Sequence, residues 1–373
     1  MEIVKPRVDQ MVGEFTGDFI SGWWSSPSIF PSTLPLISAS EQFRREKDLQ
    51  SHLDSLYAIV RKPPHNSDEE TRGKLEDLVI HIFQSALGFE ERHTDAVLEA
   101  GFREAITGFS EQARRFDSEI SDEDIYQAAR NSTSMNLMQI LLRLPVEVTP
   151  SVFAYSMLYP YTDNYLDDPA VSKQVKHGFN ERFRRRIAGE DVYPDNPREE
   201  RILQMIDLIE GEYSRERFPQ VYDSLLAIQS AQTNSLRLMD RSSSPYEVDV
   251  LCTVVMKGGT SALADGFLVA GDLTPEQARF TYDYGAFTQL MDDLEDVHAD
   301  LQAGIQTLYS QTAGKWPLDR LVNKTLNIGL RVLEELGSFP GKDLDLMKEI
   351  LHLSFNPILI DSAACAGPYL SRQ

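Results

Sequence analysis

A chain of 373 residues with 42% hydrophobic and 9% aromatic side chains can bury a sizeable core, which excludes a disordered polymer. A formal net charge of −22 argues against nucleic acid or an anionic membrane as general partners, while local charge and a bound cation still permit a phosphorylated substrate. Cys252 and Cys365 make no disulfide framework, and neither a signal peptide nor a run of ~18 apolar residues stands in the sequence, so a cytoplasmic protein without a membrane span is expected.

The first forty residues, with their proline-punctuated GWWSSPSIFPSTLPL, read as an N-terminal arm or cap (1–40) before one helical domain over 41–373. Trp23 and Trp24 in that arm would either cap a cavity or pack the arm onto the body. Beyond it the apolar period is helical almost throughout. In GKLEDLVIHIFQSALGF, Leu75, Leu78, Val79, Ile82, Ala86 and Leu87 recur at helical spacing. Further helices are predicted near 42–61, 91–117, 122–143, 150–168, 198–211, 218–240, 245–271, 275–302, 318–337 and 342–354. Start signals precede several of them: Ser121 or Asp122, Thr149-Pro150, and Thr274-Pro275-Glu276. No pair of alternating apolar runs flanks a hairpin turn, so no sheet is expected. The fold class is all-α.

Two acidic clusters stand out against this background. In QLMDDLEDVHAD, Asp292 and Asp296 are four apart and share a helix face, with Asp293 at its edge and Asp300 one turn on. Gly285 and Gln289 lie on the same stripe, two turns and one turn earlier. In YPYTDNYLDDP, Asp163 and Asp167 repeat that spacing, Asn164 and Asp168 make a neighbouring pair, and Pro169 should end the helix. Carboxylates one turn apart suit Mg²⁺, which takes oxygen ligands, keeps several waters and leans on substrate phosphates. A single such cluster is commonly a solvated helix face. Two of them, each after a long apolar run and about 125 residues apart, favour a shared diphosphate site.

Here a family resemblance enters. GAFTQLMDDLEDV, from Gly285, resembles the second aspartate-rich motif of trans-isoprenyl diphosphate synthases, and AQTNSL, with Gln232, resembles their Gly-Gln-x-x-Asp-Leu segment. KGGTSAL, from Lys257, resembles the segment in which a lysine meets diphosphate, and DNYLD resembles the first DDxxD with Asn164 in place of its second aspartate. The Asp163–Asp167 spacing is also similar to the DxxxD of squalene and phytoene synthases. The resemblance, over about residues 130–310, implies the class I terpenoid synthase fold: a helical bundle around a central apolar cavity with three Mg²⁺ ions at its mouth.

Departures from that family narrow the activity. No Gly-Gly-Lys segment for isopentenyl diphosphate stands in residues 1–130, where Arg61-Lys62-Pro63-Pro64 is the nearest basic patch, and the basic pair after the first motif is displaced to Arg182, Arg184, Arg185 and Arg186. The Asn-x-x-x-Ser-x-x-x-Glu motif usual in microbial terpene cyclases is missing too. What the resemblance then implies is a terpene cyclase acting on one allylic prenyl diphosphate, farnesyl diphosphate in the first instance, to give a sesquiterpene. A prenyl transferase, elongating or head-to-head, and a catalytically silent regulatory homologue are the alternatives, and a homodimer is left open.

The expected metal ligands are Asp163, Asp167, Asp292, Asp293 and Asp296, with Asp163, Asp167, Asp292 and Asp296 as the catalytic set. Lys257 is the first choice for diphosphate, followed by Arg182, Arg185 and Arg237; Gln289 completes the polar stripe. Tyr159, one turn before Asp163, and Phe287 are the aromatic candidates facing a carbocation, with Phe153 and Tyr155 on nearby turns. In the resembled family, bulk at the place of Tyr159 limits chain length. His298 and Cys252 read as ordinary surface and core residues, and the seven histidines form no zinc-binding pair.

Overall fold

The computed structural model describes residues 7–32, 37–60, 69–168, 171–239, 244, 247–339 and 344–371; the Arg61–Pro64 patch and Pro169 lie outside them. Among the described residues there are fifteen α-helices and no strand. They run α1 Val8–Ser25, α2 Ala39–Val60, α3 Glu69–Ser85, α4 Glu91–Glu99, α5 Phe102–Phe116, α6 Asp122–Leu141, α7 Pro150–Asp167 and α8 Lys173–Ile187. They continue with α9 Pro197–Glu212, α10 Pro219–Ser235, α11 Val250–Ala270, α12 Pro275–Glu295, α13 Val297–Ala303, α14 Asp319–Glu334 and α15 Leu344–Cys365. No described helix is long and apolar enough to cross a membrane.

Helix starts follow side-chain chemistry. Ser121, Thr149 and Thr274 each accept a backbone N–H of the following first turn, and Thr274 with Gln277 completes a capping box. Pro150 and Pro275 stand at the first helical positions, where no N–H is missed. The stretch predicted as one helix over 91–117 breaks at Gly101, whose φ of 95° is left-handed. At the other end of the chain, α15 runs on through Pro357.

The N-terminal residues depart from the expected arm. Residues 8–25 form α1, with Val8, Met11, Val12, Phe15, Phe19 and Trp23 buried in the same core as α7, α10, α11 and α12. Those positions recur at helical spacing, but Gly13, Gly17 and Gly22 lower the intrinsic helix preference and mask the pattern. Trp23 is fully buried, its indole N–H donating to Thr325, whereas Trp24 is exposed.

The centre of the molecule is the antiparallel pair α11–α12. Here glycine is required by proximity: a Cβ on Gly258 would meet the Gly285 carbonyl at 2.4 Å, and one on Gly285 would meet the Gly258 carbonyl at 2.3 Å. This approach locks the register of the two helices and sets Lys257 of α11 level with the last turns of α12. Helix α11 also packs against α6, α7 and α10, so it touches both helices that carry the acidic clusters.

Candidate active site

The second acidic cluster occupies the end of α12, where the chain turns at Asp296 into α13. Asp292 and Asp296 are exposed, while Asp293 points inward and is buried. Gln289 donates to Asp293 Oδ1 at 3.0 Å and, more weakly, to Asp292 at 3.4 Å. Asp293 Oδ2 is buried with no hydrogen-bond partner. Burial pushes the Asp293 carboxyl up to about 7, against the pull of Gln289 and Lys257. The Asp300 carboxyl is pushed up to about 6 by burial and then by Asp296. Asp296 is raised by burial and by Asp292, with Arg130 and Lys257 pulling the other way.

Two cations therefore stand over this cluster, Lys257 from α11 and Arg130 from α6. Among the described residues, neither side chain has a hydrogen-bond or ion-pair partner in contact. Arg130 was not among the expected site residues. No spacing rule marks it, because its place beside α12 follows from how α6 packs on α11.

The first cluster ends α7. Asp163 is partly buried and accepts a weak 3.4 Å hydrogen bond from Thr162, and exposed Asn164 donates to Asp124 at 2.7 Å. The side chain of Asp167 lies outside the described residues. Asn164, the departure from the aspartate motif, thus ties α7 to the start of α6.

Below Asp163 opens a small chamber, partly open to solvent, between α7, α8 and α10. Its walls are largely apolar and aromatic, with Tyr155, Leu158, Tyr159, Phe183, Ile187 and Ile228 among them, and Thr162, Gln229 and Gln232 supply the polar positions. Tyr159 thus lines a cavity one turn below Asp163, and Gln232 of the AQTNSL segment borders the same space. Burial, followed by the nearby Asp265, raises the Tyr159 hydroxyl well above the ordinary phenol range.

Other expected residues lie elsewhere. Phe287 does not share this chamber: it faces the opposite side of α12, where its ring fills the space that a Cβ on Gly329 would need. There it borders a second apolar cavity with Met291, Leu326, His352 and Phe355. Arg182 is committed to buried Glu199 through two hydrogen bonds of 2.9 and 2.7 Å, and to Asp195 at 2.8 Å. Arg185 pairs with Glu190 at 2.6 Å, and Arg237 donates to the Glu247 carbonyl at 2.9 Å. His298 is exposed and hydrogen-bonded to Tyr369, and Cys252 is half-buried.

Among the described residues no three carboxylate, imidazole or thiol groups stand together as a ready ligand set. Mg²⁺ does not demand one, since one or two protein carboxylates with waters and phosphate oxygens complete its shell. The α12 cluster suits such an ion: its donors are all hard oxygens, two are exposed, and a buried acceptor lies beside them unpaired. No protein-family model matches the chain, and no curated protein or solved structure matches it.

Proposed function

We propose that this protein is a Mg²⁺-dependent terpene cyclase of the class I terpenoid synthase fold, ionising an allylic prenyl diphosphate such as farnesyl diphosphate. The observation that carries the reading is the unmatched charge at the end of α12. A buried aspartate there keeps an oxygen without a partner, and two cations that no side chain among the described residues engages stand over the same cluster. Residues in such an arrangement await a ligand bearing both a cation and an anion, which a metal diphosphate is. An apolar, aromatic chamber beneath the other aspartate cluster gives the hydrocarbon tail a place.

Asp292, Asp293 and Asp296 on α12, with Asp163 and Asp167 on α7, would hold the Mg²⁺ ions. Bound there, the metal supplies Lewis acidity to the departing diphosphate oxygens. Lys257 and Arg130 add charge-assisted hydrogen bonds to the same oxygens as negative charge develops on them. The largely apolar chamber walls would offer the carbocation few nucleophiles, favouring cyclisation over capture. The faces of Tyr155 and Tyr159 offer their negative quadrupoles to it.

The test is turnover of purified protein with Mg²⁺ and farnesyl diphosphate, with and without isopentenyl diphosphate, followed by analysis of hydrocarbon and prenyl products. A cyclic hydrocarbon from farnesyl diphosphate alone is expected. Product only when isopentenyl diphosphate is added would make the protein a prenyl transferase instead. Asp163→Ala and Asp292→Ala should each lower turnover by more than about 100-fold with the helical circular dichroism unchanged. Full activity in both would remove the aspartates from the reaction.

A further inference from the structure

Tyr155 and Tyr159 lie one turn apart on α7, and both rings border the chamber, edge to face with centroids 5.6 Å apart. Their hydroxyls converge on one residue of the neighbouring helix α11. The Tyr159 hydroxyl shares a hydrogen bond with Ser261 Oγ, and the Tyr155 hydroxyl donates to the Ser261 carbonyl oxygen at 3.3 Å. Ser261 itself does not line the chamber. The hydroxyl of Thr162 at the rim is likewise turned back, donating to the Leu158 carbonyl at 2.7 Å. The oxygen atoms of this wall are thus tied into the protein, and carbon surface faces the cavity.

That arrangement matters for a cation. A ring face attracts a carbocation without reacting with it. A phenol oxygen within reach is a nucleophile: its lone pair forms a C–O bond to the cation, the phenolic O–H bond breaks, and the proton passes to the released diphosphate. The product is an alkyl aryl ether on tyrosine and a spent protein molecule.

We propose that Ser261 is a positioning residue that holds the two phenol oxygens against α11, so that the chamber presents tyrosine rings and no tyrosine hydroxyl to the carbocation. The proposal rests on the allylic diphosphate reading above. The tether is asymmetric, which makes it testable. Alanine at 261 removes the hydroxyl that holds Tyr159 but keeps the carbonyl that holds Tyr155. Alanine is also the better helix former, so α11 is retained.

The experiment compares wild type, Ser261→Ala and the double variant Ser261→Ala/Tyr159→Phe after incubation with Mg²⁺ and farnesyl diphosphate, using intact-protein mass and peptide mapping. Ser261→Ala should gain a fifteen-carbon adduct on Tyr159 at least about fivefold above wild type, with none on Tyr155, and the double variant should stay unmodified. Nitration by tetranitromethane reads the tether without turnover: Tyr159 should nitrate several-fold faster in Ser261→Ala than in wild type. An active Ser261→Ala protein that stays unmodified, or unchanged nitration of Tyr159, overturns the proposal. Wild-type protein that releases no diphosphate would overturn the proposed function instead, and nitration would still decide whether Ser261 holds Tyr159.

Discussion

The seam between α8 and α9 and the end of α12 are made of the same materials, carboxylates beside basic side chains, balanced in opposite ways. In the seam, Glu199 is buried with both oxygens satisfied by Arg182, Asn196, Tyr165 and the Asp195 N–H. Burial alone would raise its carboxyl, yet Arg182 and that N–H hold it below the usual carboxylate range. Arg186 and Arg215 both close on Glu210 in the same manner. On α12 the buried carboxylates Asp283 and Asp293 each keep an oxygen without a hydrogen bond. A charge cluster that is neutralised internally supports the fold; one left unmatched at the surface end of a helix is open to a ligand. The RFRRR run and the DDLED run look equally charged in sequence, and only the matching separates them.

The comparison breaks most visibly at Glu199. Removing its carboxylate by Glu199→Ala takes the acceptor from the Asp195 N–H and leaves half-buried Arg182 with Asp195 alone, and should destabilise the fold by about 3 kcal/mol in urea unfolding. Replacement without measurable loss would show that the seam is solvated and not structural.

An effect of opposite character is expected on α12. Burial, together with Glu335, pushes the Asp283 carboxyl up to about 8, although Arg279 and Arg331 pull it down. Arg279 gives little relief because it is already paired with Glu14 and Asp18. The folded state therefore keeps this proton while the unfolded chain, titrating near 4, releases it. Stability from this group is fully present below about pH 4 and is lost as the pH rises to about 8. Asp283→Asn should flatten that part of the stability–pH curve. The same slope in the variant would assign it to another group.

The smallest effect belongs to Arg185, whose pair with Glu190 is largely exposed. Arg185→Ala should change stability by no more than ~0.5 kcal/mol and leave turnover of farnesyl diphosphate unaltered. A tenfold fall in turnover with unchanged stability would return Arg185 to the proposed diphosphate site.

Most of the helical architecture was legible along the chain because helix period, caps and breakers are local signals. Ser121, Thr149 and Thr274 cap where their spacing suggested. The misreading of α1 has the same origin: glycines and a proline-rich tail hid a buried stripe that only the facing helices α10, α11 and α12 reveal. In the candidate site, helical spacing singles out the aspartates and Tyr159, and the family resemblance adds Lys257. Neither marks Arg130 or Ser261, since each acquires its place from a contact between helices distant in sequence.

By itself, then, the sequence determined an all-helical chain with acidic ends on two helices, because side chains three and four apart must share a face. It also placed Phe287 and Tyr159 on helices α12 and α7, but not on opposite sides of the packed α11–α12 core. That division was left to tertiary structure, as was the commitment of Arg182 to Glu199 while Lys257 meets no partner among the described residues. The physical reason is range. Helical periodicity acts over a few residues, whereas charge matching and cavity walls depend on where Gly258 and Gly285 let two helices meet.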